Sequence, residues 1–381
     1  MLKRIGRLML VGLVLTLGAV PAVVADGYTV ADLGTVGGKA NSWVWQQTVN
    51  EGGVIAAYAN DVDNPNAFFG DVPFLWDRGR VTVLPELEGA IDTIPYSLND
   101  SGQVVGSSQP EGEGPHAVLW DRAPCGCTLY RPRRGDPSEA RCHHPRVSWR
   151  IRTLSELPGD NFSDASAVNN RRQVVGVSAN FTPEPFSLAF HAVLWQENRI
   201  VRLPPLPDAG MADWALDINE HGQIVGFSGP AFGLEHPALW DKGSVTDLGL
   251  LGGDWAEANA INNNGQVVGF GQTAAGDTHA FFWESGSISD LGALDDDEFS
   301  GAFDINQKGQ IVGFSGASIT DVTTSHAVLW EEGVMIELQT QIPADSGWTL
   351  LAALGINERG QISGYGIHDG EYRAFVLTPV K

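Results

Sequence analysis

Cysteines and long apolar runs are scarce in this chain of 381 residues. Its three cysteines, Cys125, Cys127 and Cys142, fall in one segment, so disulfides do not hold the main body together. Beyond residue 25, no apolar run approaches the roughly 20 residues that a membrane-spanning helix needs. No stretch has the 3.6-residue apolar period of a helix, and no nucleophile elbow, phosphate loop or zinc-protease motif occurs. These absences argue against a helical bundle and against the enzyme classes that use those catalytic motifs.

Basic residues are also few. The chain has 23 of them against 46 acidic residues, which gives a formal charge of −23. A surface this acidic repels phosphate backbones and anionic membranes, which disfavours nucleic-acid binding. We expect a soluble monomer whose surface suits cations or basic partners.

The N-terminus has the three parts of a secretory signal peptide. Basic residues lie among the first seven positions, an apolar run covers residues 8–24, and small residues lead to a predicted cleavage after Ala25. The run is short and no basic stop-transfer segment follows, which favours cleavage over an uncleaved membrane anchor. We therefore predict a signal peptide over residues 1–25 and a mature chain without a membrane span. The protein would be secreted, attached to the cell surface or held in the periplasm.

Glycine is abundant, with 46 residues, and tryptophan is enriched, with 12. Together with many β-branched residues, this composition is typical of short strands joined by tight turns. A motif Asn-x-x-Gly-Gln, placed between β-branched runs, recurs seven times; the first copy is degenerate, and Arg172 replaces the turn glycine in the third. Its asparagines are Asn50, Asn99, Asn169, Asn219, Asn262, Asn306 and Asn357. Because Asn and Gly tolerate positive φ, the motif predicts a hairpin turn.

A second motif follows each first one: a predicted strand that ends in tryptophan in the first six units and in Leu377 in the seventh, with His-Ala-x-x-Trp as its commonest form. The histidines are His116, His191, His236, His279 and His326. The tryptophans are Trp76, Trp120, Trp195, Trp240, Trp283 and Trp330. A turn with glycine and one more strand complete the unit, so each unit of about 45 residues holds four predicted strands. Alanine recurs four residues before the asparagine, which suits an innermost strand where neighbouring sheets converge.

The two ends of the chain indicate how the units are arranged. The last unit stops after its third strand, while residues 28–38 match the fourth strand of the fourth unit nearly residue for residue. An N-terminal strand that completes the last unit is how propellers close their ring. We predict an all-β fold over residues 26–381: a single seven-bladed β-propeller of four-stranded blades, closed by the N-terminal strand pairing with the last blade. Six blades, with the degenerate first unit packed elsewhere, are the alternative.

The two motifs together carry a family resemblance. The pattern A-x-x-I-N-x-x-G-Q-V-V-G, followed by H-A-F-F-W and by a strand ending D-L-G-x-L-G-G, resembles the HAF repeats of extracellular bacterial proteins. The resemblance covers the predicted mature chain except residues 123–149. It implies a secreted or surface-associated bacterial protein, and it brings no catalytic residues with it.

Acidic residues recur just before or within the first strand of the units. The candidates for ligand binding are Asp164, Asp213, Asp217, Asp254, Glu257 and Asp304. If this strand is innermost, these carboxylates lie at one mouth of an axial channel, where they could bind Ca²⁺ or a cationic ligand. The alternative is that they are solvated acids that keep the protein soluble. The repeated histidines likewise allow a metal ring, or, as we favour, one structural hydrogen bond per unit.

Residues 123–149 lengthen the second unit with an arginine-rich segment that contains every cysteine. Cys125, Cys127, Cys142 and His143 could supply a zinc site. A disulfide from Cys142 to one of the other cysteines fits a secreted chain, and a disordered insertion fits the composition as well.

These features favour a non-enzymatic extracellular module that binds an unknown ligand, such as a carbohydrate or a surface protein. Apart from Ca²⁺, they indicate no cofactor. One alternative is a carbohydrate-active hydrolase or lyase that uses channel carboxylates as acid and base. Another is a structural component of the cell envelope. The fold alone does not separate these functions, because propellers host many activities.

Overall fold

A computed structural model describes residues 27–61, 71–123, 148–183, 186–294, 297–317 and 324–380. Strands dominate these ranges, with one short 3₁₀ helix over Leu338–Gln341, so the predicted all-β class is confirmed. No helix in the described ranges is long and apolar enough to cross a membrane. The predicted signal peptide, residues 1–25, lies outside them.

The strands form antiparallel groups of four, which we call units 1 to 7 in chain order; a single parallel residue pair also joins unit 3 to unit 4 and unit 5 to unit 6. Unit 1 comprises β2 (Asn41–Trp43), β3 (Ile55–Asn60), β4 (Val72–Asp77) and β5 (Arg80–Val83). Unit 2 comprises β6 (Ala90–Leu98), β7 (Val104–Pro110), β8 (His116–Ala123) and β9 (Ser148–Thr153). Unit 3 comprises β10 (Phe162–Val168), β11 (Val174–Pro183), β12 (Phe186–Gln196) and β13 (Arg199–Arg202). Unit 4 comprises β14 (Ala212–Ile218), β15 (Ile224–Gly229), β16 (His236–Asp241) and β17 (Ser244–Asp247).

The remaining units follow the same order of strands. Unit 5 comprises β18 (Gly252–Ile261), β19 (Val267–Thr273), β20 (Thr278–Glu284) and β21 (Ser287–Gly292). Unit 6 comprises β22 (Phe299–Ile305), β23 (Ile311–Gly316), β24 (His326–Glu331) and β25 (Val334–Glu337). Unit 7 comprises β26 (Trp348–Ile356), β27 (Ile362–His368), β28 (Glu371–Pro379) and, from the other end of the chain, β1 (Tyr28–Asp32).

The fourth strand of unit 7 is the N-terminal strand. β1 pairs antiparallel with β28, with Tyr28 opposite Pro379 and Asp32 opposite Phe375. Just beyond the strand, the Leu33 N–H donates to the carbonyl oxygen of Ala374 at 3.0 Å. The two ends of the chain therefore share one sheet.

The apolar core lies between neighbouring units. Trp120 of unit 2 packs against Leu75 and Leu84 of unit 1, and its indole N–H donates to the Pro85 carbonyl oxygen at 2.7 Å. Equivalent clusters surround the tryptophans of units 3, 4 and 6. Residues of units 7 and 1 also share a larger cluster that includes Trp43 and that extends to residues of units 2, 5 and 6. Most of the buried apolar surface therefore stabilises the contacts between units.

The position seven residues after the motif asparagine is a glycine in six units, because the backbone of the first strand passes close to its Cα atom. In unit 4, the first strand bulges at Ala215, and a Cβ atom on Gly226 would lie 1.9 Å from the Trp214 carbonyl oxygen. Equivalent contacts of 1.9–2.1 Å would arise at Gly106, Gly176, Gly269, Gly313 and Gly364. Unit 1, whose first strand has three residues, carries Ala57 at this position. The motif thus encodes inter-strand packing as well as a turn.

Candidate functional site

The first strands of units 2 to 7, together with the segment that follows β2 in unit 1, surround a common axis and line two cavities. The wider cavity has a volume of about 680 Å³ and the narrower one about 190 Å³. In β10, Asp164 and Ser166 line the wider cavity, whereas Val168 lines the narrower one. The chain therefore runs from the wide end to the narrow end along each first strand.

Residues 44 to 47, which follow β2, separate the two cavities. Gln47 lines both of them and has a φ of 53°. Its backbone N–H donates to the Leu354 carbonyl oxygen at 2.9 Å, and its side-chain amide donates to the Asn259 carbonyl oxygen at 3.3 Å. These bonds tie unit 1 to units 7 and 5 across the axis.

The asparagines of the first motif form a circle of hydrogen bonds at the narrow end. The Nδ2 atom of each donates to the carbonyl oxygen of the corresponding asparagine in the next unit, at 2.9–3.2 Å. The circle returns to its start because Asn357 of unit 7 donates to the carbonyl oxygen of Asn50 at 3.0 Å. The motif therefore links units, a role that the analysis of single turns does not reveal.

A second circle involves the residue that follows each asparagine. Its backbone N–H donates to a side-chain oxygen of the corresponding residue in the next unit, at 2.7–2.9 Å. These residues are Glu51, Asp100, Asn170, Glu220, Asn263, Gln307 and Glu358. This circle was not predicted, although its signal, a carboxylate or amide after every motif asparagine, is present in the sequence.

Two predicted carboxylates, Asp217 and Asp304, line the narrower cavity. Asp217 accepts the N–H of Ile218 at 2.6 Å and, from the next unit, the N–H of Ile261 at 2.8 Å. Asp304 makes the equivalent pair of bonds to units 6 and 7. Burial raises the pKa of Asp217 to about 6 and that of Asp304 to about 8. Because backbone donors occupy both oxygens, these carboxyl groups join units.

Two other predicted carboxylates, Asp164 and Glu257, line the wider cavity together with Asp92, which was not predicted. Burial raises the pKa of Asp164 to about 7. The pKa of Glu257 is raised to about 8, first by burial and then by the charge of Glu235. Burial and a hydrogen bond with Asp92 raise the pKa of Asp71, from unit 1.

The last two predicted carboxylates line neither cavity. Asp213 is buried and accepts the Ser228 hydroxyl at 2.6 Å, and Asp254 is exposed. The expectation that all six converge at one mouth is therefore wrong. Asp213 and Asp217 lie four residues apart, or about 13 Å along a strand, so they occupy different depths.

In the ranges that the structure describes, no group of three or more His, Cys, Asp or Glu side chains is placed to hold a metal ion. Those ranges therefore contain no preformed metal site. The zinc candidates Cys125, Cys127, Cys142 and His143 lie outside those ranges.

The repeated histidines each contact a carboxylate. The pairs are His116–Glu156 at 2.8 Å, His191–Asp160 at 3.1 Å, His236–Asp247 at 2.7 Å, His279–Asp290 at 2.9 Å and His326–Glu337 at 3.0 Å. In units 2 and 3 the carboxylate comes from a loop, because Thr153 and Arg202 stand where units 4 and 6 carry the strand acid. The five histidines have separate partners and do not come together in one centre.

Aromatic side chains form much of the wall of the wider cavity. Two of the lining residues, Trp214 and Phe232, contact Phe190, which does not itself line the cavity: Phe190 stacks on Trp214, with ring centroids 5.7 Å apart, and meets Phe232 edge-on at 5.1 Å. On the side of unit 6, Phe303 stacks on Phe314 at 5.3 Å. Phe232 is 54 % exposed and forms part of the rim. A concave apolar wall with a few polar groups is typical of a small-molecule site.

Comparison with solved structures finds the same kind of fold in other proteins. A puromycin-hydrolyzing peptidase of Mycobacterium tuberculosis is 11 % identical with a TM-score of 0.54, over 90 % of this chain and 55 % of that one. Acylaminoacyl peptidase of Pyrococcus horikoshii is 10 % identical with a TM-score of 0.52, over 90 % of this chain and 52 % of that one. This chain thus spans about half the length of these peptidases.

The β-propeller domain of the Trilobed protease from Pyrococcus furiosus also matches, at 9 % identity and a TM-score of 0.49, over 89 % of this chain and 98 % of that one. No protein-family model matches the sequence, and no curated protein matches it. Four-stranded antiparallel units packed around an axis define the class of this protein, an all-β fold of the β-propeller type.

Proposed function

We propose that this protein is a secreted or cell-surface propeller that binds a small ligand in its wider axial cavity without transforming it. The observation that carries the proposal is the cavity itself, about 680 Å³, with a wall built from every unit. Small-molecule sites typically measure about 300–1,000 Å³ and combine an apolar wall with a few polar groups. Secretion and a place among HAF-repeat proteins are supported by the sequence motifs alone.

Variants of the cavity wall test the binding site once a glycan array or a thermal-shift screen has found a ligand. Phe232→Ala should weaken binding about tenfold, because aromatic anchors contribute on the order of 1–2 kcal/mol. Phe181→Ala is the matched control, since Phe181 is also exposed, at 43 %, but does not line the cavity. Equal losses for both variants would place the ligand elsewhere.

We also propose that the seven units are the blades of one closed ring. The pairing of β1 with β28, the hydrogen bond from Asn357 to Asn50 and the core shared by units 7 and 1 support closure. Deletion of residues 27–34 should lower the melting temperature, because it uncovers buried side chains of β28. A synthetic peptide of those residues should restore it, whereas a scrambled peptide should not. An unchanged melting temperature after the deletion would contradict closure by β1.

A second candidate function is hydrolysis or elimination in the same cavity. It is favoured by Asp164 and Glu257, whose pKa values of about 7 and about 8 place both groups in the range of acid–base catalysis at neutral pH. If they are catalytic, Glu257→Gln should abolish turnover of a glycoside, uronate or peptide substrate without unfolding the protein. Absence of turnover across such a panel would leave binding as the function.

A further inference from the structure

We propose that the wider cavity selects ligands that carry a protonated amine on an aromatic or sugar-like ring. The inference rests on the proposed binding function and specifies the chemistry of its ligand. The polar end of the cavity lies between units 2 and 3, which contribute Asp92 and Asp164 to its lining.

Two buried carboxyl groups at this end each have one unused oxygen. Asp92 and Asp164 are 9 % and 7 % exposed, and both line the cavity. One side of each group is engaged, Asp92 with Asp71 and Asp164 with Ser107. The Oδ1 atom of each has no hydrogen-bond partner among the described residues. Because an unsatisfied buried oxygen is unfavourable, a ligand that donates hydrogen bonds there would be stabilised.

The charge of the cavity selects the kind of donor. Its described lining contains three carboxylic acids, Asp92, Asp164 and Glu257, and no lysine, arginine or histidine. Asp92 and Asp164 are close enough for the charge of one to raise the pKa of the other. A cation that enters would therefore relieve their repulsion, whereas an anion would increase it. A protonated amine supplies both the positive charge and the N–H donors.

The aromatic wall accommodates the rest of the ligand. Trp214 lines the cavity beside the polar end, and its indole N–H donates to Ser166 Oγ at 2.9 Å, which orients the ring. A cationic nitrogen within about 6 Å of an aromatic face is attracted to the ring. Phe227 and the rim residue Phe232 extend this wall toward solvent, where a phenyl or sugar ring could pack.

Calorimetric titration of the purified protein with two isosteric probes tests the inference. At about pH 8, where more of the cavity carboxyl groups are ionised, 2-phenylethylamine should bind at least tenfold more tightly than 2-phenylethanol. Asp164→Asn should remove this preference, and Asp92→Asn serves as a second variant if the first does not fold. Asp213→Asn is the matched control, because Asp213 is also buried and its Oδ2 atom also lacks a hydrogen-bond partner among the described residues, but it does not line the cavity.

The outcomes separate this inference from the proposed function. Equal affinity for amine and alcohol, or a preference that persists in both cavity variants, would overturn the selection of amines and leave the binding cavity in place. Failure of both probes to bind would count against the cavity as a ligand site. A trimethylated amine that binds as tightly as the primary amine would refute the role of the unused oxygens as hydrogen-bond acceptors.

A second pair of probes tests which kind of amine the cavity prefers. At about pH 7, where most of the glucosamine amine is protonated, glucosamine and N-acetylglucosamine present the same sugar ring with and without the charge. Tighter binding of glucosamine than of 2-phenylethylamine would point to amino sugars, and the reverse to aromatic amines. Either result supports recognition of a protonated amine, whereas a preference for the N-acetylated sugar opposes it.

Discussion

At the scale of single residues, Arg172 occupies a backbone position that suits glycine. Its φ is 64°, and glycines hold the corresponding turn position in the other units, with φ values of 72–81°. They are Gly53, Gly102, Gly222, Gly265, Gly309 and Gly360. A left-handed conformation costs roughly 1–2 kcal/mol for a residue with a side chain, partly offset by the greater entropy of glycine in the unfolded chain.

Arg172→Gly should therefore raise the free energy of unfolding, by up to about 1 kcal/mol. Chemical denaturation followed by tryptophan fluorescence measures the change. The reverse substitution, Gly222→Arg, should lower stability by a similar amount. A loss of stability in Arg172→Gly would mean that contacts of the arginine side chain outweigh its backbone strain.

Buried carboxyl groups should make the protein less stable as the pH rises. The pKa values of Asp164 and Glu257 are about 7 and about 8 in the folded chain, and near 4 in an unfolded one. The folded state therefore binds more protons between about pH 4 and pH 8, so the free energy of unfolding decreases across this window. The raised pKa of His116 acts in the same direction, since the histidine loses its charge as the pH rises.

Melting temperatures measured at about pH 5 and pH 8.5 test this prediction. The value should be lower at the higher pH, and the double variant Asp164→Asn, Glu257→Gln should lose less stability over the same interval. Repulsion among the many other acidic groups also changes with pH, because the chain is strongly acidic. The double variant distinguishes the contribution of the two buried groups from that general repulsion. An equal or higher melting temperature at pH 8.5 would contradict the raised pKa values.

At the scale of the element, the tryptophan of the third strand stabilises the contact with the preceding unit. Trp240 is 2 % exposed, packs with Leu203 and Leu206 of unit 3, and donates to the Pro204 carbonyl oxygen at 2.7 Å. Trp240→Ala should cost roughly 3–5 kcal/mol, and Trp240→Phe, which keeps much of the ring, should cost less. Equilibrium unfolding measures both, with the less buried Trp283→Ala as the comparison. Similar losses for the two alanine variants would argue against the inter-unit role.

At the scale of the whole molecule, the arginine-rich insertion should be dispensable for folding. β8 and β9 remain paired up to Ala123 opposite Ser148, so the two described residues that flank the insertion are neighbours in the sheet. Replacement of these residues by Asn-Gly should close the hairpin and leave the cooperative transition and melting temperature unchanged. Calorimetry of the shortened protein measures both the cooperativity of unfolding and the melting temperature. Loss of cooperative unfolding would show that the insertion contributes to the core.

The four-stranded unit can be predicted from local sequence alone. Alternating apolar residues, turn residues and the tryptophan at the end of the third strand act over neighbouring residues, so they predict strands and hairpins without knowledge of the rest of the chain. The match between residues 28–38 and a fourth strand also predicted that the N-terminal strand pairs with the last unit, and in the structure β1 pairs with β28. The comparisons with solved structures agree with the fold class.

The roles of the polar residues of each unit depend instead on how the units pack. Asn262 is a turn residue by sequence, but its amide donates to Asn306 of the next unit, and this partner is set by the packing of whole sheets. The predicted carboxylates share a strand position, yet their depth along the axis and the segment at Gln47 separate them into two cavities. Local sequence determines which way a side chain faces. Burial, charge neighbours and unused hydrogen-bonding atoms depend on units that lie far apart in the chain.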